Sequence, residues 1–249
     1  MKIKILGCGP SFGVPSLNRG FGSCDPKNPK NFRLRSSALI QNNGKNILID
    51  SGPDIRLQLL RAGSPKLDAV LYSHAHYDHM GGADDLRTAL VENQEVLPLY
   101  LSETDLKMFQ NMFHYIFEMP NQPFETHIIY PYQSFSVQDI EILPIPQKHG
   151  TGQSVGYRIG DVAYCTDVVE IEKRAFDLLS DLKVLILGVV TSVPNPKHIH
   201  TEQALQWIER IKPERTYFTH MGTRMDYETL SRELPSYVRP AYDEMEIEI

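Results

Sequence analysis

The chain has 249 residues, 41 % hydrophobic and 22 % charged, with 16 glycines and 17 prolines, which suits one large or two small globular domains and excludes a disordered or collagen-like polymer. Lys and Arg number 25 against 31 Asp and Glu, a net charge of −6, so a dedicated nucleic-acid binder is not expected. Three widely spaced cysteines, Cys8, Cys24 and Cys165, suit a reducing compartment, and no apolar run reaches a signal peptide or the roughly 18 residues of a membrane span, so a soluble, cytoplasmic protein without membrane contact is expected.

In chain order, short β-branched runs bounded by turn residues predict strands at Lys2–Leu6, Ala38–Gln41, Asn46–Asp50, Ala69–Ser73, Leu97–Leu101, His127–Tyr130, Ile140–Ile145, Ser154–Ile159, Val162–Cys165, Val184–Leu187 and Arg215–Thr219. Apolar residues at helical spacing predict helices over Pro53–Arg61, Ala83–Val91, Thr104–Phe117, Ile171–Leu179, Thr201–Ile211 and Tyr227–Leu234. Met119–Gln133, rich in Pro, Asn and Gln, reads as a long surface loop. Hairpin turns at Asn43-Gly44 and Gly160-Asp161 interrupt a purely parallel winding. The expected product is a mixed, layered α/β domain with two sheets, spanning residues 1–249 as one unit.

One segment stands apart. Ser73-His74-Ala75-His76-Tyr77-Asp78-His79-Met80-Gly81-Gly82 puts four candidate ligands directly after an apolar strand. If the chain stays extended past Ser73, His74 and His76 share a side, and the turn before Gly81 swings Asp78 and His79 to a neighbouring point. Imidazole and carboxylate suit Zn²⁺, Mn²⁺ or Fe²⁺. Two ions about 3.5–4 Å apart need roughly seven protein ligands, so further ones are expected downstream. His149, Asp167 and His220 each follow an apolar strand, where α/β folds place their sites. Cys165, two residues from Asp167, is a rival; Asp167 is favoured because a carboxylate at the strand end can bridge two metals and Cys165 should sit deeper in the sheet.

With these residues in view, the chain resembles the metallo-β-lactamase superfamily of hydrolases. Within it, the chain looks like the branch containing the phosphoribosyl cyclic phosphate phosphodiesterase. The likeness runs through Leu6-Gly7-Cys8-Gly9-Pro10-Ser11-Phe12-Gly13, Arg33-Leu34-Arg35-Ser36-Ser37, Leu48-Ile49-Asp50-Ser51-Gly52, the histidine segment, Gly82-Ala83-Asp84-Asp85 and Thr219-His220. It implies a four-layer αββα sandwich of two mixed β-sheets flanked by helices. It also implies two divalent ions, Zn²⁺ before Mn²⁺ or Fe²⁺, with His74, His76 and His149 on one, Asp78, His79 and His220 on the other, and Asp167 bridging. His200, on the loop before a helix, would be the proton donor. The activity implied is hydrolysis of a small phosphodiester, cyclic forms included. Two departures stand out: Gly13–Arg35 holds only Cys24 where the branch often carries a structural-zinc cysteine set, and Thr223 occupies the place of a further histidine. That structural zinc is not expected.

The remaining polar residues have weaker claims. Asp50 is either a helix cap or an acceptor for a ligand histidine's free N–H. His198 and His200 flank Ile199 in a loop that, without the resemblance, would carry solvated imidazoles. His114 and His127 receive no role, and Phe113, Tyr115 and Phe117 are assigned to core or to subunit contacts of a homodimer. Arg33, Arg35, Arg56 and Arg87 have the chemistry to meet a phosphate but are left outside the site. The rival activities are a thioester or lactone hydrolase on the same metals and a metal-binding structural or sensory module without turnover.

Overall fold

The computed structural model describes Met1 to Ile249, apart from the side chains of Ala89 and Asn93. In the first of two sheets, β1 (Lys2–Gly7), β2 (Ser37–Asn42) and β3 (Lys45–Ile49) form an antiparallel meander. Parallel strands β4 (Ala69–Leu71), β5 (Leu97–Leu101) and β6 (Phe124–Ile128) extend it, and β15 (Glu246–Glu248) pairs with β1 at the other edge. In the second, β8 (Ile140–His149), β9 (Gly152–Ile159) and β10 (Val162–Cys165) are antiparallel. Strands β12 (Val184–Gly188), β13 (Arg215–Thr219) and β14 (Val238–Pro240) then continue parallel to β10, while β7 (Phe135–Val137) and β11 (Glu170–Ile171) pair with β8.

Strand alternation builds the layers. Ala38, Ile40, Ile47 and Ile49 point to the second sheet and share a buried cluster with Tyr157, Val162 and Ile186. Leu39, Leu48 and Val70 turn the other way, under α1 (Ile55–Arg61), α3 (Ala83–Asn93) and α4 (Glu103–Met112). On the far side, α6 (Lys173–Leu178) and α7 (Thr201–Ile211) contribute Phe176, Ala204 and Ile208 to the core around β12. Every residue of β12 is buried, as a strand covered on both faces requires. The order helix, sheet, sheet, helix is the expected four-layer αββα sandwich. No helix of the described residues is long and apolar enough to cross a membrane.

Several local expectations change. The strand anticipated at His127–Tyr130 is Phe124–Ile128, inside the stretch read as a loop, because its register follows β5, Leu97 against Phe124 through Leu101 against Ile128. The helix anticipated over Thr104–Phe117 breaks at Phe113 (φ −121°, ψ 35°), whose ring turns into the core beside Phe109, and resumes as α5 (His114–Phe117). Strand β8 runs through Pro144 and Pro146 to His149. Val155, opposite Pro146, donates its N–H to Ser73 O instead, so the missing proline donor interrupts no bond there.

One cap carries a measurable consequence. Asp226 precedes α8 (Tyr227–Glu233) and accepts the Thr229 N–H (3.0 Å), the Asp25 N–H (3.1 Å) and Asn31 Nδ2 (2.7 Å). Burial raises its pKa, but these bonds outweigh that and hold it at about 2. A depressed carboxylate stabilises the fold above its unfolded value near ~3.9 and loses that contribution as pH falls through the folded value. Asp226→Ala should therefore cost about 1–2 kcal/mol at pH 7, with wild-type and variant melting curves converging toward pH 2.

Candidate metal centre

The site lies where the strands of both sheets end. Beyond β4 the backbone stays extended, held by the Ala75 N–H on Asp105 Oδ1 (2.9 Å). His74 Nε2 and His76 Nδ1 consequently meet at 2.8 Å. His76 is the extended N-cap of α2 (Tyr77–Met80), a single turn that redirects Asp78 and His79. That turn packs tightly on the loop after β3: a Cβ on Gly52 would lie 2.1 Å from the Asp78 carbonyl oxygen, so only glycine fits.

Two groups of side chains converge, His74, His76, His149 and Asp167 in one and Asp78, His79, Asp167 and His220 in the other. Asp167 faces both. Its Oδ2 is 3.6 Å from His74 Nε2 and 3.5 Å from His149 Nε2, and its Oδ1 is 3.5 Å from His79 Nε2 and 3.2 Å from His220 Nε2. Three of the outer ring nitrogens are occupied: His79 Nδ1 donates to Asp50 Oδ2 (2.7 Å), His149 Nδ1 to Lys197 O (3.1 Å), and His220 Nδ1 meets Ser36 Oγ (3.0 Å). Ser36 Oγ donates to Gly9 O (2.9 Å), so it accepts from His220 and leaves the Nε2 lone pair facing inward.

The donor set fits divalent cations. His79 Nε2, His220 Nε2 and Asp78 Oδ2 are buried without a well-aligned hydrogen bond among the described residues, the first and last only facing each other at 3.2 Å, which is costly unless something else satisfies them. Burial, then the neighbouring His79, lowers His74, keeping it a neutral imidazole with a free lone pair. Burial opposes the Asp167 charge, yet the facing imidazoles, His220 and then His79 foremost, hold its carboxyl well below the usual range. The donors of the two groups thus suit two metal ions.

All seven candidate ligands named from the sequence come together here. Asp50 is the acceptor for His79, and also takes the Ser73 N–H (2.7 Å); the cap position of α1 belongs to Asp54. Cys165 stays inside the sheet against Gly156, outside both groups. His200 caps α7 with its Nε2 4.0 Å from Glu202, whereas His198 packs on His149 (ring centroids 4.8 Å) and His220 (5.6 Å). The loop bends over Pro196–His198, and Ile199 between the two rings is buried. Burial lowers His198 to about 4.

His198 and His220 border a cavity of about 540 Å³ that also carries Arg19, Lys197, Arg224 and the exposed ring of Phe12. These sequence reasoning missed, since Arg19 and Arg224 lie in loops without periodicity. The four arginines weighed from the sequence lie elsewhere: Arg33 is buried, Arg35 pairs with Asp54 (3.0 Å), Arg56 lines a groove beside α1, and Arg87 pairs with Asp84 (2.7 Å).

The chain is similar to several known proteins. A solved diphosphatase of the PhnP family superposes with a TM-score of 0.91 at 32 % identity, covering 100 % of this chain and 97 % of that one. An octanoyltransferase of Porphyromonas gingivalis is 32 % identical over 253 residues, 99 % of this chain and 51 % of the relative, so the chain spans about half its length. A ribonuclease Z of Clostridium acetobutylicum is 24 % identical over 159 residues, 60 % of this chain and 46 % of that one. The model of the β-lactamase superfamily domain matches residues 45–221, from β3 to the residue after His220. That span contains all seven candidate ligands, and the chain belongs to the β-lactamase superfamily.

Proposed function

We propose that the protein is a dinuclear metal-dependent phosphodiesterase for small anionic phosphodiesters, cyclic forms included, with Zn²⁺ the favoured ion. The observation that carries this is the joining of two ligand groups through Asp167 beside a cavity whose charged side chains are Arg19, Lys197 and Arg224. Two bound divalent ions would supply Lewis acidity at the phosphoryl oxygens and acidify an attacking water. The chain's own part is orientation: Asp50, Ser36 and the Lys197 carbonyl hold three imidazoles with Nε2 inward. His198, on the cavity wall, is placed to pass a proton to the leaving alkoxide, a role worth ~10²–10⁴ in rate. The guanidinium groups of Arg19 and Arg224 match phosphate oxygens.

A thioester hydrolase is the second reading, favoured by the name of the octanoyltransferase relative, an acyl-transfer enzyme. The cationic cavity weighs for the phosphodiester. Protein purified without chelator should contain about two equivalents of transition metal and hydrolyse bis(p-nitrophenyl) phosphate and a cyclic nucleotide faster than a thioester or a lactone. An RNA oligonucleotide belongs in the same panel, given the ribonuclease Z relative. No metal, and no uptake of Zn²⁺ or Mn²⁺, would overturn the proposal; a preference for the thioester would transfer the site to acyl chemistry.

A further inference from the structure

Arg33 is a cation only 1 % exposed, and no carboxylate is among its hydrogen-bond partners. Burial of a guanidinium is strongly unfavourable unless its donors are satisfied. Here Nη1 donates to Met221 O (3.4 Å) and Gly222 O (3.2 Å), and Nη2 to Met225 O (2.6 Å) and Asn31 Oδ1 (3.1 Å), while Nε is buried without a partner among the described residues. Three of these four acceptors are main-chain carbonyls in the turn that starts directly after His220.

That turn needs holding. His220 has φ +57°, in the left-handed region that a residue with a side chain enters at a cost. The amides that follow it are anchored, Met221 N–H on Cys8 O (2.8 Å) and Gly222 N–H on Val190 O (3.0 Å). Arg33 takes the carbonyls of the same two residues, and its own backbone is clamped to Val14 by two bonds of 2.8 and 2.9 Å. The guanidinium therefore links the segment around Val14 to the conformation of a candidate ligand more than 180 positions away.

We propose that Arg33 is a positioning residue for the Asp78, His79, Asp167 and His220 group, holding the turn after His220 so that its Nε2 stays directed at Asp167. The proposal rests on the two-metal reading above. It predicts an asymmetry that a general role in folding does not. His74, His76 and His149 lie beyond β4 and at the end of β8, segments that the Arg33 side chain does not bond. Lysine cannot replace it, because one ammonium nitrogen cannot span acceptors on several residues as a planar fork does.

The test is a Zn²⁺ titration against a competing chelator for wild type, Arg33→Lys and Arg33→Gln, with circular dichroism and thermal melting on the same samples. Wild type should bind two equivalents; fewer would sink the two-metal reading, and this inference with it. Given two, each variant should keep its fold and one affinity within about threefold, while the other affinity falls by roughly 10–100-fold, as for partners that orient metal ligands. In Arg33→Ala, millimolar guanidinium should restore the weakened affinity by refilling the vacated space. Unchanged affinities, equal weakening of both, or loss of fold in both the Lys and Gln variants would each overturn the assignment and make Arg33 a residue of the fold as a whole.

Discussion

Asp167→Ala is expected to lose at least one of two metal equivalents and to lower kcat/KM by ~10³-fold or more, about 4 kcal/mol of barrier. Its two carboxylate oxygens face different ligand groups, at 3.2–3.6 Å from four imidazole nitrogens. Truncation removes a donor from both groups and leaves the surrounding imidazoles without the negative charge that offsets their neighbours. Cys165→Ser is the control. Burial pushes that thiol up to about 12, and its Sγ lies against Gly156, outside both ligand groups. A serine there should cost about 1–3 kcal/mol of stability as an unpaired buried hydroxyl while leaving metal content and turnover near wild type. Elemental analysis and steady-state kinetics on the same preparations check both, and the opposite ranking would place the bridge at Cys165.

The second large effect separates the two loop histidines. His198→Ala should retain both metals and lower kcat by ~10²–10⁴-fold, about 3–5 kcal/mol, for a substrate with an alkoxide leaving group. For p-nitrophenolate, which departs without a proton, the loss should be much smaller. His200→Ala should leave both rates close to wild type, because its ring lies toward Glu202 and outside the ligand groups. In the free site His198 is neutral at pH 7, with its pKa lowered by burial. To act as donor His198 would have to take up a proton as the complex forms, which an anionic substrate beside it would favour. Equal losses with both leaving groups would assign His198 to positioning, loss of metal would make it a ligand, and a larger effect at His200 would return the role there.

Local sequence determined those parts of the protein whose physics is contained in a short window. Leu97–Leu101, Val162–Cys165, Arg215–Thr219 and Thr201–Ile211 have the bounds that β-branched runs and helical spacing predict, because each buries a regular apolar pattern. The seven converging residues were legible for a related reason: dense histidine and aspartate directly after apolar strands has few other uses, and strand ends in such folds meet. Their division between two ions came from the family resemblance.

Tertiary structure decided the rest. The short strands β7, β11, β14 and β15 exist through pairing partners, and β6 takes its limits from β5. Phe113 interrupts a helix to reach the core although the apolar spacing continues through it. His198 lines the cavity and His200 does not, a difference set by how the loop packs on His149 and His220 and not by composition. Arg33 looked like any surface arginine, and its acceptors at Met221 and Met225 lie 188 and 192 positions along the chain. Hydrogen bonds and packing over such separations depend on which segments the two sheets bring together, and no local pattern of residues records that.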